Sequence, residues 1–396
     1  MRIAFLVVDD RFDQPHPKPF FGSAPTALLQ GFALLAGNKT GLTIDPRPPA
    51  PEIHVICCGK KPVPAPEKIA PNIFYHQLIL PSWSFLRTLH AGPVLAVRKK
   101  LREIRPDIVH AQGTERWCAI SGALAPFPKV LTIHGNLRLI NKVTPMQPRA
   151  YWKTQEMLET FSIPRFDGVV CITNYTERNV ADLAGKTWVV PNAVDLAFFT
   201  LGEERVGTPT PDAPKVLVVG HVQPRKNQNA FIDAVTPLSE RLPFHLRFFG
   251  GAARGNPFCD DFFSRVESRS WCHYGGMLGR ADLREEFRGA SLLVLPSLED
   301  NCPMVVLEAM ASGVPVIAPN VGGVPDLIRD GENGLLIDPT SAGSMREAVS
   351  RMLGDPEFAA RLAEKAREDA EEKYHPRAIA LRHLEIYGEV IRAKRG

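Results

Sequence analysis

Ten short apolar runs, several rich in β-branched residues, punctuate the chain, and they constrain the fold more than any other feature. Six lie in the first half, "RIAFLVV", "EIHVICC", "DIVHA", "KVLTIHG", "GVVCIT" and "TWVVPN"; four follow in the second, "KVLVVG", "FHLRFFG", "SLLVLP" and "PVIAP". Runs that are apolar throughout, with no in-out alternation, belong to strands covered on both faces. Separated by helical patterns, they imply parallel sheets wrapped by helices. The two series are divided by "TLGEERVGTPTPDAPK", rich in Gly, Pro and Thr, which reads as a connection between domains. At 396 residues the chain exceeds one ordinary core. The expectation is therefore α/β, with two doubly wound Rossmann-like domains: 1–198, a linker at 199–212, and 213–370. A last helical stretch, 371–396, is expected to pack back toward the N-terminal domain.

Composition bounds the function classes. The net charge of +4 is too small to argue for nucleic acid. Split near residue 205, the first part carries an excess of +7 and the rest −3. Such asymmetry fits either ordinary surface charge or a first half that sits near something anionic. Seven cysteines with no CxxC pair indicate neither a disulfide framework nor a zinc site, and reduced, mostly buried thiols are expected. No stretch approaches the roughly 18 apolar residues of a membrane span. "MRIAFLVVDD" is too short for a signal segment and reads as a first buried strand. The expectation is a cytoplasmic protein, with peripheral contact at the inner membrane surface as an addition. "VRKKLREIR", residues 97–105, is the segment for such contact; a solvated helix face is the plainer reading.

In doubly wound sheets ligands sit beyond the carboxyl ends of the strands, so the residues following each run carry the functional reading. "PSLEDNCPMVVLEAMASG" holds a strand end, a loop and a helix, with Pro303 in the first helical turn, Asn301 or Cys302 as the cap and Gly313 as the stop. The start of that helix, Pro303, Met304 and Val305, offers N–H groups and a positive dipole end to an anion such as phosphate. From Pro303 to Ala311 every residue is apolar except Glu308. A carboxylate alone in such a segment needs a partner: the hydroxyl pair of a ribose, or a neighbouring arginine. In "VVGHVQPRKNQ" a strand ends at Gly220, and Arg225 and Lys226 follow, a fork beside a point charge suited to a diphosphate. His134 in "LTIHGN" ends another strand and can hydrogen-bond a sugar hydroxyl, or be held by its own backbone. His110 is a weaker parallel. Gly22 and Ser23 open a helix where backbone can approach a phosphate. The "AGKT" at 184–187 lacks the first glycine of a phosphate loop, and no dinucleotide fingerprint, HExxH or GxSxG occurs.

Together these segments resemble the retaining glycosyltransferases of the GT-B fold, family four, most strongly from Gly220 to Leu336. "PSLEDNCPMVVLEAMASGVPVIAP" resembles the family's pair of carboxylates eight positions apart, with Asp300 at the first place, where the family has Glu, and Glu308 at the second. "GHVQPRKNQ" resembles its Arg-Lys phosphate clamp. "CHYGGMLGRADL" resembles the base-binding turn, at Gly276 and Met277, and "VGGVPDLIRDGENGLLI" is typical. "VVPNAVD" resembles the interdomain segment, with Ala193 for Gly, and "TIHG" the acceptor-domain histidine segment. "FFGSAP" stands where two glycines are usual.

The resemblance implies two domains facing across a cleft and transfer of a hexosyl group, with retention, from a UDP- or GDP-linked sugar. The acceptor, whether glycan, lipid-linked or small molecule, stays open. It implies His134, Asp300, Arg225 and Lys226 as catalytic residues. It implies donor contacts from Gly22, Ser23, Gly220, Gly276, Met277, Asn301, Cys302, Pro303, Met304, Val305 and Glu308, with no metal and no further cofactor. A sugar-nucleotide epimerase and a non-catalytic nucleotide-sugar binder are the competing readings.

Overall fold

The computed structural model describes residues 1–12, 20–37, 50–139, 148–205 and 213–395. It divides into two compact units: Met1–Asp195 with His375–Gly396, and Leu196–Tyr374.

The N-terminal unit is built on an eight-stranded sheet. Its strands are β1 (Arg2–Leu6), β2 (Glu52–Gly59), β3 (Lys68–Ala70), β4 (Ile73–Ile79), β5 (Ile108–Gln112), β6 (Lys129–Ile133), β7 (Gly168–Cys171) and β8 (Thr187–Val189), in the order 3-4-2-1-5-6-7-8. All pairings are parallel except β3 with β4. Ile3, Phe5, Ile53 and Val55 pack on one face, while Ala4, Leu6, Ile56 and Val109 pack on the other, as strands buried on both sides require. The helix α1 (Ser23–Gly37) lies against the last helix of the chain, Pro376–Arg395, at close range. A Cβ on Gly31 would come within 2.1 Å of the Pro376 carbonyl oxygen, so only glycine permits that approach. Tyr387, Ile386 and Val390 of the last helix are buried in the same core as Phe5 and Phe32.

The C-terminal unit has six strands, β9 (Lys215–Val219), β10 (His245–Phe249), β11 (Cys272–Tyr274), β12 (Leu292–Val294), β13 (Val316–Pro319) and β14 (Leu335–Ile337), all parallel, in the order 11-10-9-12-13-14. Counted within the unit this is 3-2-1-4-5-6, the dinucleotide-fold order, whose switch point falls between β9 and β12.

One boundary differs from the sequence expectation. Residues 199–205, expected in the linker, continue a helix, Leu196–Arg205, that belongs to the C-terminal unit; 206–212 lie outside the described residues. The reason is packing. Phe198 is fully buried with its ring edge-on to Phe287, and Gly202 sits where a Cβ would meet the Ala311 carbonyl oxygen at 2.4 Å. Polar composition hid an apolar face. All seven cysteines are free and buried, and no helix among the described residues is long and apolar enough to cross a membrane.

Candidate functional site

The switch point of the C-terminal sheet collects the charged residues that the sequence singled out. After β9, Pro224 opens a single 3-10 turn, Pro224–Lys226, closed by Asn227 in the left-handed conformation with φ +59. Asn tolerates that region better than most side chains, and its amide donates to the Pro339 carbonyl, fixing the turn. Helix Gln228–Val235 follows. After β12, the loop Ser297–Asn301 runs alongside, tied by the Leu298 N–H donating to the Arg225 carbonyl at 2.8 Å.

Across this tie the side chains pair. Arg225 Nη1 donates to the Glu299 carbonyl at 2.8 Å and to Glu299 Oε2 at 3.2 Å. Lys226 Nζ donates to Asp300 Oδ2 at 2.5 Å, and Arg225 lies 3.9 Å from Asp300 Oδ1. Burial pushes the Glu299 carboxyl upward against the pull of Arg225. The four side chains retain between 12 and 23% exposure, so solvent and a small anion can reach them. Glu299, one position out of the two-carboxylate pattern, therefore has a structural task of its own, as the partner of Arg225.

Asp300 is seated from behind by the "VGG" turn. Gly323 N–H donates to the Asp300 carbonyl at 3.0 Å. Gly322 has φ +59, and a Cβ there would fall 1.9 Å from the same oxygen. The motif is thus a backbone requirement of the carboxylate loop.

The helix beyond is Met304–Ala311, with Pro303 in the N-cap position at ψ 111 and no side-chain cap. This corrects two expectations: Pro303 precedes the helix instead of forming its first turn, and neither Asn301 nor Cys302 caps it. The extended ψ of Pro303 keeps it outside the helix. Gly313, at φ +65, follows the last turn as expected. Met304 and Val305 are partly exposed at the helix start, while Cys302 and Pro303 are buried.

Glu308 has a protein partner. It is 4% exposed, and its Oε1 lies 3.4 Å from Nη1 of Arg280, whose guanidinium also stands over the Phe198 ring. Nothing in the sequence marked Arg280 as that partner beyond its place at the head of a helix, Arg280–Arg288. Gly276 and Met277 lie in the loop after β11, where Gly276 accepts from the Gly250 N–H, and Met277 is 64% exposed. Gly220 follows β9, beside the Lys226 stem.

The corresponding edge of the N-terminal sheet differs. His134 follows β6, partly exposed, with Nε2 2.8 Å from Gln112 Oε1. Burial, opposed by a hydrogen bond with Asn192, holds it down at about 4. His110 is fully buried, bonded through Nδ1 to Tyr387 and through Nε2 to Thr132. His383 of the last helix stacks on His110, and burial lowers it to about 4. These rings are neutral at pH 7 and tie the chain's last helix to β5 and β6. His110 thus belongs to the packing. Gly22 and Ser23 open α1, where the Thr26 N–H donates to the Gly22 carbonyl. Asp9, Arg11 and Tyr75 form a buried cluster after β1, with Arg11 Nη2 on Asp9 and the Tyr75 hydroxyl donating to Asp9 Oδ2 at 2.7 Å. Sequence reasoning passed over it, though "DDRF" after the first strand was a signal. Among the described residues no group of three His, Cys, Asp or Glu is placed to hold a metal ion.

Comparison with known proteins bears on both halves. The profile for Glycosyl transferases group 1 matches residues 203–369, and that for Glycosyltransferase Family 4 matches 51–198. An exopolysaccharide phosphotransferase of Streptomyces coelicolor is 28% identical over 79% of this chain and 32% of its own. An alpha-D-kanosaminyltransferase of Streptomyces kanamyceticus is 26% identical over 75% of this chain and 81% of its own. The chain spans 32, 47 and 63% of the length of the first three curated relatives it matches. Among solved structures, sucrose-phosphate synthase from Thermosynechococcus elongatus superposes with a TM-score of 0.77 at 22% identity, over 99% of each chain. Anabaena HepE in complex with UDP-glucose gives 0.67 at 18% identity, over 98% of this chain and 100% of that one. At such identities these likenesses speak for the fold. Because the two profiles together take in most of the sequence and the architecture is shared, the chain belongs to the group 1, family 4 glycosyltransferases of GT-B fold.

Proposed function

We propose that the protein transfers a hexosyl group from a nucleotide diphosphate sugar to an acceptor, with retention of anomeric configuration and without a metal. The observation that carries this reading is the pair Arg225 and Lys226, held at the switch point of a dinucleotide-type sheet within reach of solvent. Charge develops on the diphosphate as the bond from the anomeric carbon to phosphate oxygen breaks. Two fixed cations and the uncapped start of helix Met304–Ala311 are the groups that stabilise it. With Glu299 and Asp300 as resting partners, the cations stay positioned without ligand, and a diphosphate exchanges carboxylate contacts for phosphate contacts. Asp300, released from Lys226, then orients the sugar.

In this reading the acceptor oxygen attacks the same face that the phosphate leaves, and the departing phosphate oxygen takes the acceptor proton. Neutral His134 supplies a hydrogen bond to a sugar or acceptor hydroxyl. Glu308 takes the ribose hydroxyls, and Gly276 and Met277 border the base. A uridine donor is supported by the UDP-glucose complex of the Anabaena protein, whose fold the chain shares. The N-terminal unit, with "FFGSAP" in place of paired glycines, sets the acceptor.

The test is incubation of the purified chain with labelled UDP- and GDP-hexoses, with and without EDTA, followed by NMR of the product. Release of nucleoside diphosphate with an axial or equatorial bond matching the donor, unaffected by EDTA, supports the proposal. A C2 epimer of the donor would make the protein an epimerase. No donor turnover with any acceptor would leave only a binder.

A further inference from the structure

Twelve large apolar side chains are exposed among the described residues, and four of them fall within 17 residues of the N-terminal unit. They are Ile79 at 43%, Trp83 at 61%, Leu89 at 48% and Leu95 at 67%. Scattered exposed hydrophobics are ordinary, but a cluster calls for an occupant. The cluster is one folded ridge. It starts at the carboxyl end of β4, passes through two single turns, Ser82–Ser84 and Leu86–Thr88, and enters helix α2 (Ala91–Ile104). Thr88 Oγ1 donates to the Ser84 carbonyl, and the His90 N–H to the Phe85 carbonyl at 2.7 Å. A Cβ on Gly92 would touch the Ser84 side chain at 2.5 Å, so the Trp83 turn lies against the head of α2.

Two features show how the ridge is shaped. Leu89 and His90 are both left-handed, at φ +49 and +64, a conformation that disfavours branched side chains. The strained kink buries His90 and turns Leu89 outward. Along α2, Leu95, Lys99 and Arg102 stand at helical spacing on the face that Gly92 begins, and all three are exposed. An apolar head thus continues into a cationic stripe. Over residues 60–105 the sequence holds nine Lys or Arg against two Glu, and Glu103 is taken by Lys100.

We propose that this ridge docks the protein on a bilayer carrying anionic lipid, with Trp83, Leu89 and Leu95 entering the interface and Lys99 and Arg102 meeting the headgroups. Charge complementarity selects that occupant. A second copy would set like charges face to face, while a neutral surface would leave the cations unmet. The proposal involves no step of sugar transfer and stands apart from it.

Sedimentation of the full chain with vesicles of phosphatidylcholine, alone or mixed with phosphatidylglycerol, tests it. The mixed vesicles should bind at least about tenfold more protein, with the difference shrinking in salt. The double variants Leu89→Ser with Leu95→Ser, and Lys99→Glu with Arg102→Glu, should each lose that excess while melting and nucleotide binding stay as in the parent. A blue shift of emission on mixed vesicles should disappear in Trp83→Phe. Equal binding to both vesicles, unchanged binding by both double variants, or a concentration-dependent dimer indifferent to lipid would each overturn the assignment.

Discussion

The two units use one scaffold for opposite electrostatic ends. Each is a doubly wound sheet whose first strand lies at the turning point of the strand order. In the C-terminal unit the loops at that point carry four charged side chains, paired across the edge and open to solvent. In the N-terminal unit the neighbouring strand ends carry neutral histidines: His110, buried beneath the last helix and held by Tyr387 and Thr132, and His134, partly exposed and held by Gln112. Charge placed where water can enter is available to an ionic ligand, whereas polar groups sealed in a core are committed to each other. The contrast supports the proposed placement of a diphosphate at the C-terminal unit and gives His110 and His383 a structural task.

Acid should separate the two edges most strongly. His134 and His383 titrate near 4 in the folded chain and His110 also lies well below its ordinary 6.5, so the unfolded chain binds more protons between those values. Stability is then complete above pH 6.5 and falls as pH drops toward 4. His383 alone accounts for a loss on the order of 3 kcal/mol. Calorimetry across that range should show the N-terminal unit melting first, and His383→Leu should flatten the decline. A flat profile in the parent would mean the rings are not held neutral.

Removing a cation from the other edge comes next. Arg225→Ala and Lys226→Ala should each lower turnover by about a hundredfold, as loss of a group facing developing charge does, with little change in melting temperature. Near-normal rates in either would remove the clamp. Gly322→Ala, which drives a methyl group against the Asp300 carbonyl at a positive φ, should destabilise the C-terminal unit by about 1–3 kcal/mol. It should also raise the donor KM; a neutral result would show that the carboxylate loop is not seated there. Smallest is Glu308→Gln, which removes the charge that faces Arg280 at 3.4 Å and should weaken donor binding by about tenfold. If a 2′-deoxyribose donor were weakened just as much by the change, the ribose contact would be wrong.

Much of the architecture was legible because its core strands are largely apolar. All ten runs read from sequence are strands. The four strands missed, β3, β4, β11 and β14, lie at or next to a sheet margin, where one face is less covered and the apolar signal is diluted. At the candidate site, residue types and order singled out Arg225, Lys226 and Glu308, and the family resemblance singled out Asp300; the structure brings Arg225, Lys226 and Asp300 together. Their partners were not legible. Glu299 and Arg280 are ordinary surface residues in a one-dimensional reading, and only the meeting of loops after non-consecutive strands makes them matter. The linker was misread at 199–205 because helix Leu196–Arg205 buries a narrow face beneath a polar remainder.

Binding of nucleoside diphosphates tests the account at its centre. Titrating UDP and GDP into the parent and into Lys226→Ala, with thermal melting in parallel, reads whether the cation pair of the C-terminal unit is where a diphosphate goes. We expect the preferred nucleotide, at a hundred times its Kd, to stabilise the parent by about 2.7 kcal/mol and to lose most of that gain in Lys226→Ala. Equal affinity in the two proteins, or no stabilisation by any nucleotide, would contradict it.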